Sequence, residues 1–175
     1  SDTTSLTTFE TTTLIPTSLF GFALGDLEEI HIDLPMDNGI MLPIHIYSPL
    51  NVTQATYTLD IVQKYLPLIQ NFFKSKFPSN KLDFVLLPFL NDMVMENFTM
   101  ITVQMDFLLF NSSSLTNPAI RNQTTQLVVH ELVHQWIGNY VSFNSWEYLP
   151  FNESFATFLA YYLISKNDPD NNIWE

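Results

Sequence analysis

The sequence contains no cysteine and little positive charge, and both absences exclude classes of protein. Without cysteine the chain forms neither disulfides nor thiolate metal sites, so any metal must be held by histidine and carboxylate side chains. Six lysines and arginines stand against 18 aspartates and glutamates, which gives a formal net charge of −12. Because such a chain repels phosphate backbones and anionic lipid surfaces, we do not expect it to bind nucleic acid.

Long hydrophobic runs are also missing. The densest apolar stretch, Phe84 to Leu90, contains Pro88 and is far shorter than the roughly 18 to 20 residues that cross a bilayer. The sequence therefore predicts no membrane span. No basic segment followed by an apolar one opens the chain, so no signal peptide is visible. Together with the lack of cysteine this favours a cytoplasmic protein and leaves an extracellular one open.

The remaining composition is sufficient for one hydrophobic core. The 175 residues are 46% hydrophobic, which predicts a single domain or part of one. The first 17 residues hold eight threonines and few charges. We therefore expect a threonine-rich extended segment at 1–17 and a folded region at 18–175.

Alternating hydrophobic patterns predict a sheet. Ile30 to Leu34 and Ile40 to Tyr47 flank the turn signal Asn38-Gly39, so they predict an antiparallel hairpin. Leu82 to Leu87 predicts a buried strand, and Phe98 to Phe110 predicts another.

Three further stretches predict helices. Apolar residues recur at helical spacing over 53–77, where Pro67 is expected to kink or restart the helix. A second helix is expected over 117–139, because an Asn-Pro pair opens it and Gly-Asn closes it. A third is expected over 150–166. The amphipathic helix over 53–77 is expected to pack on the sheet.

The second helix carries the pattern H-E-x-x-H as His130, Glu131 and His134. Residues four apart lie on one face of a helix, so both imidazoles can reach a single metal ion. Glu131 projects beside them and is the candidate general base. Two ordinary histidines of the core or surface are the alternative reading.

A third ligand candidate argues against that alternative. Glu153 lies 19 positions after His134, in the first turns of the next predicted helix. Two antiparallel helices joined by a loop can bring the three side chains together. Two histidines and one carboxylate leave a fourth position for water, as in catalytic zinc sites. The pattern predicts one Zn²⁺ per chain and hydrolysis of peptide bonds.

These motifs resemble the large zinc aminopeptidase family of the gluzincin clan, which includes alanyl and puromycin-sensitive aminopeptidases. The run from His130 to Val141 is similar to that family's H-E-L-x-H-Q-W-x-G-N-x-V, and Asn152 to Ala156 is similar to its N-E-G-F-A. Upstream, the G-A-M-E-N signature is matched by the substrate-binding candidates Met93, Val94, Met95, Glu96 and Asn97.

The resemblance implies an α+β fold, that of a truncated thermolysin-like metallopeptidase catalytic domain in which a mixed sheet packs on the helices that carry the H-E-x-x-H pattern and Glu153. The family's preceding β-domain and its helical remainder would belong to other parts of the parent chain, and the remainder would carry an oxyanion-stabilising tyrosine. The substrates would be peptide or protein N-termini. The resemblance assigns Glu96 the binding of the free α-ammonium group, which a carboxylate near the zinc can pair with. A solvated loop carboxylate is the alternative for Glu96.

Departures from the family pattern leave two further functions open. The family's Gly-Ala is replaced by the bulkier Met93-Val94. This replacement is the reason for a second hypothesis, in which the protein contains zinc and binds N-termini but hydrolyses them weakly or not at all. An endopeptidase is the third hypothesis, and Glu96 argues against it. His31 and His45 lie in predicted strands and are expected to be structural.

Overall fold

The computed structural model describes residues 4–36, 39–168 and 173–174. Within them the chain forms one five-stranded sheet and three α-helices. The strands are β1 (Glu28–Pro35), β2 (Met41–Ser48), β3 (Leu82–Leu87), β4 (Val94–Met95) and β5 (Met100–Gln104). The helices are α1 (Thr56–Phe73), α2 (Pro118–His134) and α3 (Leu149–Asn167).

The sheet is mixed, with the order β1-β2-β3-β5-β4. Strands β2, β3 and β5 run parallel, while β1 and β4 pair antiparallel with their neighbours at the two edges. The predicted α+β fold of a mixed sheet packed on helices is therefore confirmed. None of the described helices is both long and apolar enough to cross a membrane.

The predicted hairpin is confirmed by the pairing of β1 with β2, in which His31 lies opposite His45. The turn residue Asn38 lies outside the described residues. Gly39 beside it has φ +74°, a left-handed conformation that disfavours a β-carbon. Residues 4–16 form no helix or strand and are largely exposed.

The prediction of one strand over Phe98–Phe110 is wrong in length. Only Met100–Gln104 is extended, and a single turn of 3-10 helix follows at Met105–Phe107. Thr99 has φ +60°, which turns the chain immediately before the strand. The two-residue strand β4 was not predicted, because two residues carry no periodicity.

Two helix predictions need correction. Helix α1 continues through Pro67 to Phe73, so the helix does not restart there. Helix α2 begins at Pro118 behind an Asn117 cap, as predicted, but ends at His134 instead of residues 138–139. The chain folds back at once, since the Asn139 amide donates to the His134 carbonyl at 3.2 Å.

The core lies between one face of the sheet and the helices. Helix α2 contacts both α1 and α3. Its residues Val128, Val129, Leu132 and Val133 are all fully buried. Burying each such side chain contributes about 1.5 to 3 kcal/mol to folding. The helix that carries the H-E-x-x-H pattern is therefore held rigidly on two sides.

Candidate metal centre

The three predicted metal ligands converge. The Nε2 atoms of His130 and His134 lie 2.9 Å apart. Glu153, from the second turn of α3, places its Oε2 atom 3.3 Å from the first of these nitrogens and 3.5 Å from the second. One ligand atom from each residue thus lies within 4.8 Å of the others. In the part of the chain that the structure describes, no other group of three His, Asp or Glu residues does so.

The other imidazole nitrogens have partners that orient the rings. His134 Nδ1 lies 3.1 Å from the carbonyl oxygen of Ile137. His130 Nδ1 lies 3.3 Å from the Thr157 hydroxyl. The Ile137 carbonyl accepts a hydrogen bond from Nδ1 of His134, and the Thr157 hydroxyl contacts Nδ1 of His130. In both rings the Nε2 atom is the one that faces Glu153, as in metal sites with a supporting outer layer of hydrogen bonds. The donor set therefore fits Zn²⁺.

The carboxylate of Glu153 and the imidazole of His134 also stabilise each other's charged forms. Hydrogen bonds with His130 and His134 hold the pKa of Glu153 well below its usual range, against the opposing effect of burial. Burial lowers the pKa of His134, but the hydrogen bond with Glu153 and the charges of Glu131 and Glu96 outweigh it, so that the net shift is upward. The site thus concentrates negative charge around two imidazoles, which favours a cation.

Glu131 lies beside the three predicted ligands but makes no hydrogen bond with them. The residue is buried, and its Oε2 atom has no hydrogen-bond partner. Burial raises the pKa of Glu131 to about 8, His134 opposes this shift, and the charges of Glu96 and Glu153 add to it. A buried, unpaired carboxyl with a pKa near neutral suits a general base.

Glu96 follows β4 at the edge of the sheet and is half-buried. Its carboxylate is near enough to raise the pKa of both Glu131 and His134. It also lines a cleft of about 260 Å³ together with Met95 and Asn152, the residue before Glu153. The structure therefore brings Glu96 near Glu131 and His134, although it lies 34 positions before His130 in the chain.

The other substrate-binding candidates differ in whether their side chains are buried or exposed. Asn97 is buried, donates to the Leu19 carbonyl and accepts a hydrogen bond from the Thr102 hydroxyl. Met93 is 54% exposed and has φ +64°. Val94 and Met95 form β4. Asn97 is thus a support for the segment, whereas Met93 offers its side chain to solvent.

Several residues of the site were not singled out from the sequence. Thr157 follows Glu153 by four positions on α3, and that helical spacing is a signal that could have identified it. Gln135 and Asn139 stand inside the motif that runs from His130 to Val141, and both are buried. The Ile137 carbonyl carries no sequence signal, because any residue supplies one.

His31 and His45 lie on β1 and β2, outside the metal group, as predicted. His31 Nδ1 pairs with Glu29 at 3.1 Å, and His45 Nδ1 pairs with Asp83 at 3.1 Å. Their ring centroids are 5.7 Å apart across the strand pair.

Comparison with known proteins agrees with this geometry. Residues 57–175 match the peptidase family M1 domain. The chain is 51% identical to Protein TMA108 of Saccharomyces cerevisiae over 169 residues, which is 97% of this chain and 18% of that protein. It is 34% identical to Aminopeptidase 2 of Candida albicans over 169 residues, 96% of this chain and 18% of that protein.

Puromycin-sensitive aminopeptidase of Caenorhabditis elegans is 29% identical over 167 residues, which is 95% of this chain and 17% of that protein. The chain thus spans less than one fifth of the length of these curated relatives. The family match covers both ligand-bearing helices, α2 and α3, and with them His130, His134 and Glu153. The chain belongs to peptidase family M1.

Proposed function

We propose that this chain holds one Zn²⁺ ion through His130, His134 and Glu153, and that the full-length protein removes N-terminal residues from peptides. The observation that carries the proposal is the convergence of these three ligand atoms within 4.8 Å. Glu131 beside them and Glu96, whose charge raises the pKa of both Glu131 and His134, supply the two other groups that this chemistry needs.

The general base is Glu131. When bound, zinc supplies a Lewis acid that polarises a peptide carbonyl and makes water more acidic. Glu131 accepts the proton of the attacking water and then returns it to the departing amine. Its burial supports this role, since an unpaired carboxylate in an apolar environment is a stronger base than one in water.

The amino-terminal anchor is Glu96. Its carboxylate pairs with the α-ammonium group of the substrate, so that the first peptide bond lies at the metal centre. The carboxylates of Glu96, Glu131 and Glu153 also make the site attractive to a cationic group. An endopeptidase would have no use for a carboxylate at this place.

Activity against aminoacyl reporters tests the proposal in the full-length protein. We expect hydrolysis that a chelator abolishes and zinc restores, and little cleavage of N-acetylated peptides. Rapid cleavage of blocked peptides would identify an endopeptidase instead. Equal rates with and without the chelator would contradict the metal-dependent mechanism.

A second function is favoured by the segment before Glu96. Met93 is a bulky residue with a left-handed backbone, φ +64°, and an exposed side chain. A side chain of this size beside the first residues of a bound peptide leaves less space for the peptide to reach the geometry of the transition state. In this second function the protein binds peptide N-termini through Glu96 and hydrolyses them slowly or not at all. Tight binding of free N-termini without zinc-dependent hydrolysis would establish it.

A further inference from the structure

Two side chains that immediately follow the metal ligand His134 bond the segment that carries Glu96. The Nδ2 group of Asn139 donates to the Glu96 carbonyl oxygen at 2.6 Å. The Oε1 atom of Gln135 accepts a hydrogen bond from the Thr99 amide at 2.8 Å. One bond falls on Glu96 itself and the other three residues later. Both amide side chains are buried, with Gln135 0% and Asn139 2% exposed, so water does not compete for these bonds.

The same two residues are tied back to the metal helix. The backbone amide of Asn139 donates to the His134 carbonyl at 3.2 Å. The Nε2 group of Gln135 donates to the Glu131 carbonyl at 3.4 Å. A continuous series of hydrogen bonds therefore runs from the ligand His134, through Asn139, to the backbone of Glu96.

The segment itself has a backbone that needs such support. Thr99 is a β-branched residue at φ +60°, a conformation that persists only where the surroundings enforce it. Strand β4 is paired to β5 only through Val94 and Met95. Beyond these two pairs, Asn97 holds the segment to Leu19 and Thr102. The bonds of Gln135 and Asn139 are the ones that tie the backbone of Glu96 and Thr99 to the end of α2.

We infer that Asn139 and Gln135 are positioning residues that set the distance between the Glu96 carboxylate and the metal centre, and thereby the preference for a free N-terminus. The inference rests on the proposed role of Glu96. It assigns to the two amides a function in substrate selection that is separable from holding the metal, because neither side chain is among the ligands.

The test compares two ligands of the full-length protein in a Glu131→Gln background, which prevents hydrolysis. The probes are a fluorescently labelled peptide with a free α-amino group and its N-acetylated counterpart. We expect Asn139→Ala, and separately the nearly isosteric Gln135→Met, to weaken binding of the free peptide by about tenfold, the scale of one buried hydrogen bond. Affinity for the acetylated peptide and zinc content should stay unchanged.

Glu96→Ala and Tyr57→Phe are the controls. Glu96→Ala should abolish the preference for the free peptide over the acetylated one. If it does not, the proposed role of Glu96 as the anchor of the N-terminus is wrong. Tyr57→Phe removes another hydrogen bond of α2, the one to Thr125 at 3.0 Å, and should leave the preference intact. If Glu96→Ala removes the preference while both amide variants keep it, the positioning role is wrong. Loss of zinc or of folding in both amide variants would assign them to the fold and also overturn the inference.

Discussion

His134 and His130 are oriented by different kinds of partner, and this distinguishes the two ligands at the scale of single residues. His134 is 1% exposed, and its Nδ1 atom contacts a backbone carbonyl, so its position is fixed by the fold. His130 is half-buried, and its Nδ1 atom contacts the hydroxyl of Thr157, a side chain that can be removed. The second contact is therefore the one that mutation can test without disturbing the backbone.

We expect His134→Ala to lose the zinc ion and Thr157→Val to keep it with about tenfold weaker affinity, the lower end for the loss of a group that orients a ligand. Elemental analysis and competition with a chelator measure the two effects. A full equivalent of zinc in His134→Ala would contradict the ligand assignment. Affinity should also fall as the pH drops, because both imidazoles must be deprotonated to bind, and the raised pKa of His134 starts that loss above about 6.5.

Glu131→Gln should abolish turnover in the full-length protein and leave zinc bound. The substitution removes the base but keeps the size of the side chain and touches none of the three ligands. Steady-state kinetics and metal analysis on the same preparation give the answer. Retention of most of kcat would show that another group accepts the proton.

The metal-free protein should lose stability as the pH rises from about 5 to 8. The pKa of Glu131 is about 8 in the folded protein and near its ordinary value of 4.5 when unfolded. The folded state therefore keeps a proton that the unfolded state releases, and stability decreases with pH in this window. His134, whose pKa is also raised, contributes in the same direction.

Urea unfolding in the presence of a chelator, at several pH values, measures this dependence. Glu131→Gln should flatten it, because the glutamine does not titrate. A free energy of unfolding that rises between pH 5 and 8 in the unmutated protein would contradict the burial argument.

At the scale of elements, the loop after α2 is built around one glycine. Gly138 has φ +106°, and a β-carbon there would lie 2.8 Å from Oδ1 of Asn152. Asn152 precedes the ligand Glu153, so the loop and the start of α3 share one tight contact. This contact couples the end of one ligand-bearing helix to the beginning of the other.

Gly138→Ala should therefore destabilise the protein by about 1 to 3 kcal/mol and weaken zinc binding at the same time. Gly39→Ala is a matched control, because Gly39 also has positive φ but nothing lies within 4 Å of its added β-carbon. Gly39→Ala should lower the free energy of unfolding and leave zinc affinity unchanged. Unfolding curves and zinc competition for both variants separate the strain of the backbone from the displacement of Asn152.

The sequence predicted the elements with strong periodicity and the site residues with fixed spacing. Strand β3 and the Asn117 cap of α2 were located correctly, because a buried apolar run and an Asn-Pro pair are local signals. The end of α2 was misplaced by four residues, since it depends on hydrogen bonds from Asn139 to His134 and to Glu96. The first of these bonds is local, whereas the bond to Glu96 joins residues 43 positions apart and leaves no trace in local periodicity.

At the scale of the whole molecule, α3 and the connection before it expose aromatic side chains. Phe143 packs against Tyr148 and Phe151, which packs in turn against Phe155. Trp146 is 73% exposed and Phe158 is 55% exposed. An exposed aromatic surface of this kind is typical of a surface that contacts other protein.

We expect the isolated 175 residues to self-associate. Because the family resemblance implies an oxyanion-stabilising tyrosine outside them, we also expect them to hydrolyse aminoacyl reporters at least about 10²-fold more slowly than the full-length protein, the scale of one oxyanion donor. Light scattering and kcat/KM at equal zinc occupancy measure the two effects. Phe158→Ser should reduce association without changing zinc content. Equal activity of the two proteins would show that residues 1–175 contain the whole catalytic set.

All three ligands come from two consecutive helices, α2 and α3, and only 18 residues separate His134 from Glu153. A metal ion bound there acts as a cross-link that closes this short loop. Because the ion binds the folded site and not the unfolded chain, it stabilises the folded state and ties α3 to a helix already fixed in the core. Release of the ion would therefore free α3 first, and hydrogen exchange in α3 should report metal loss before the sheet responds.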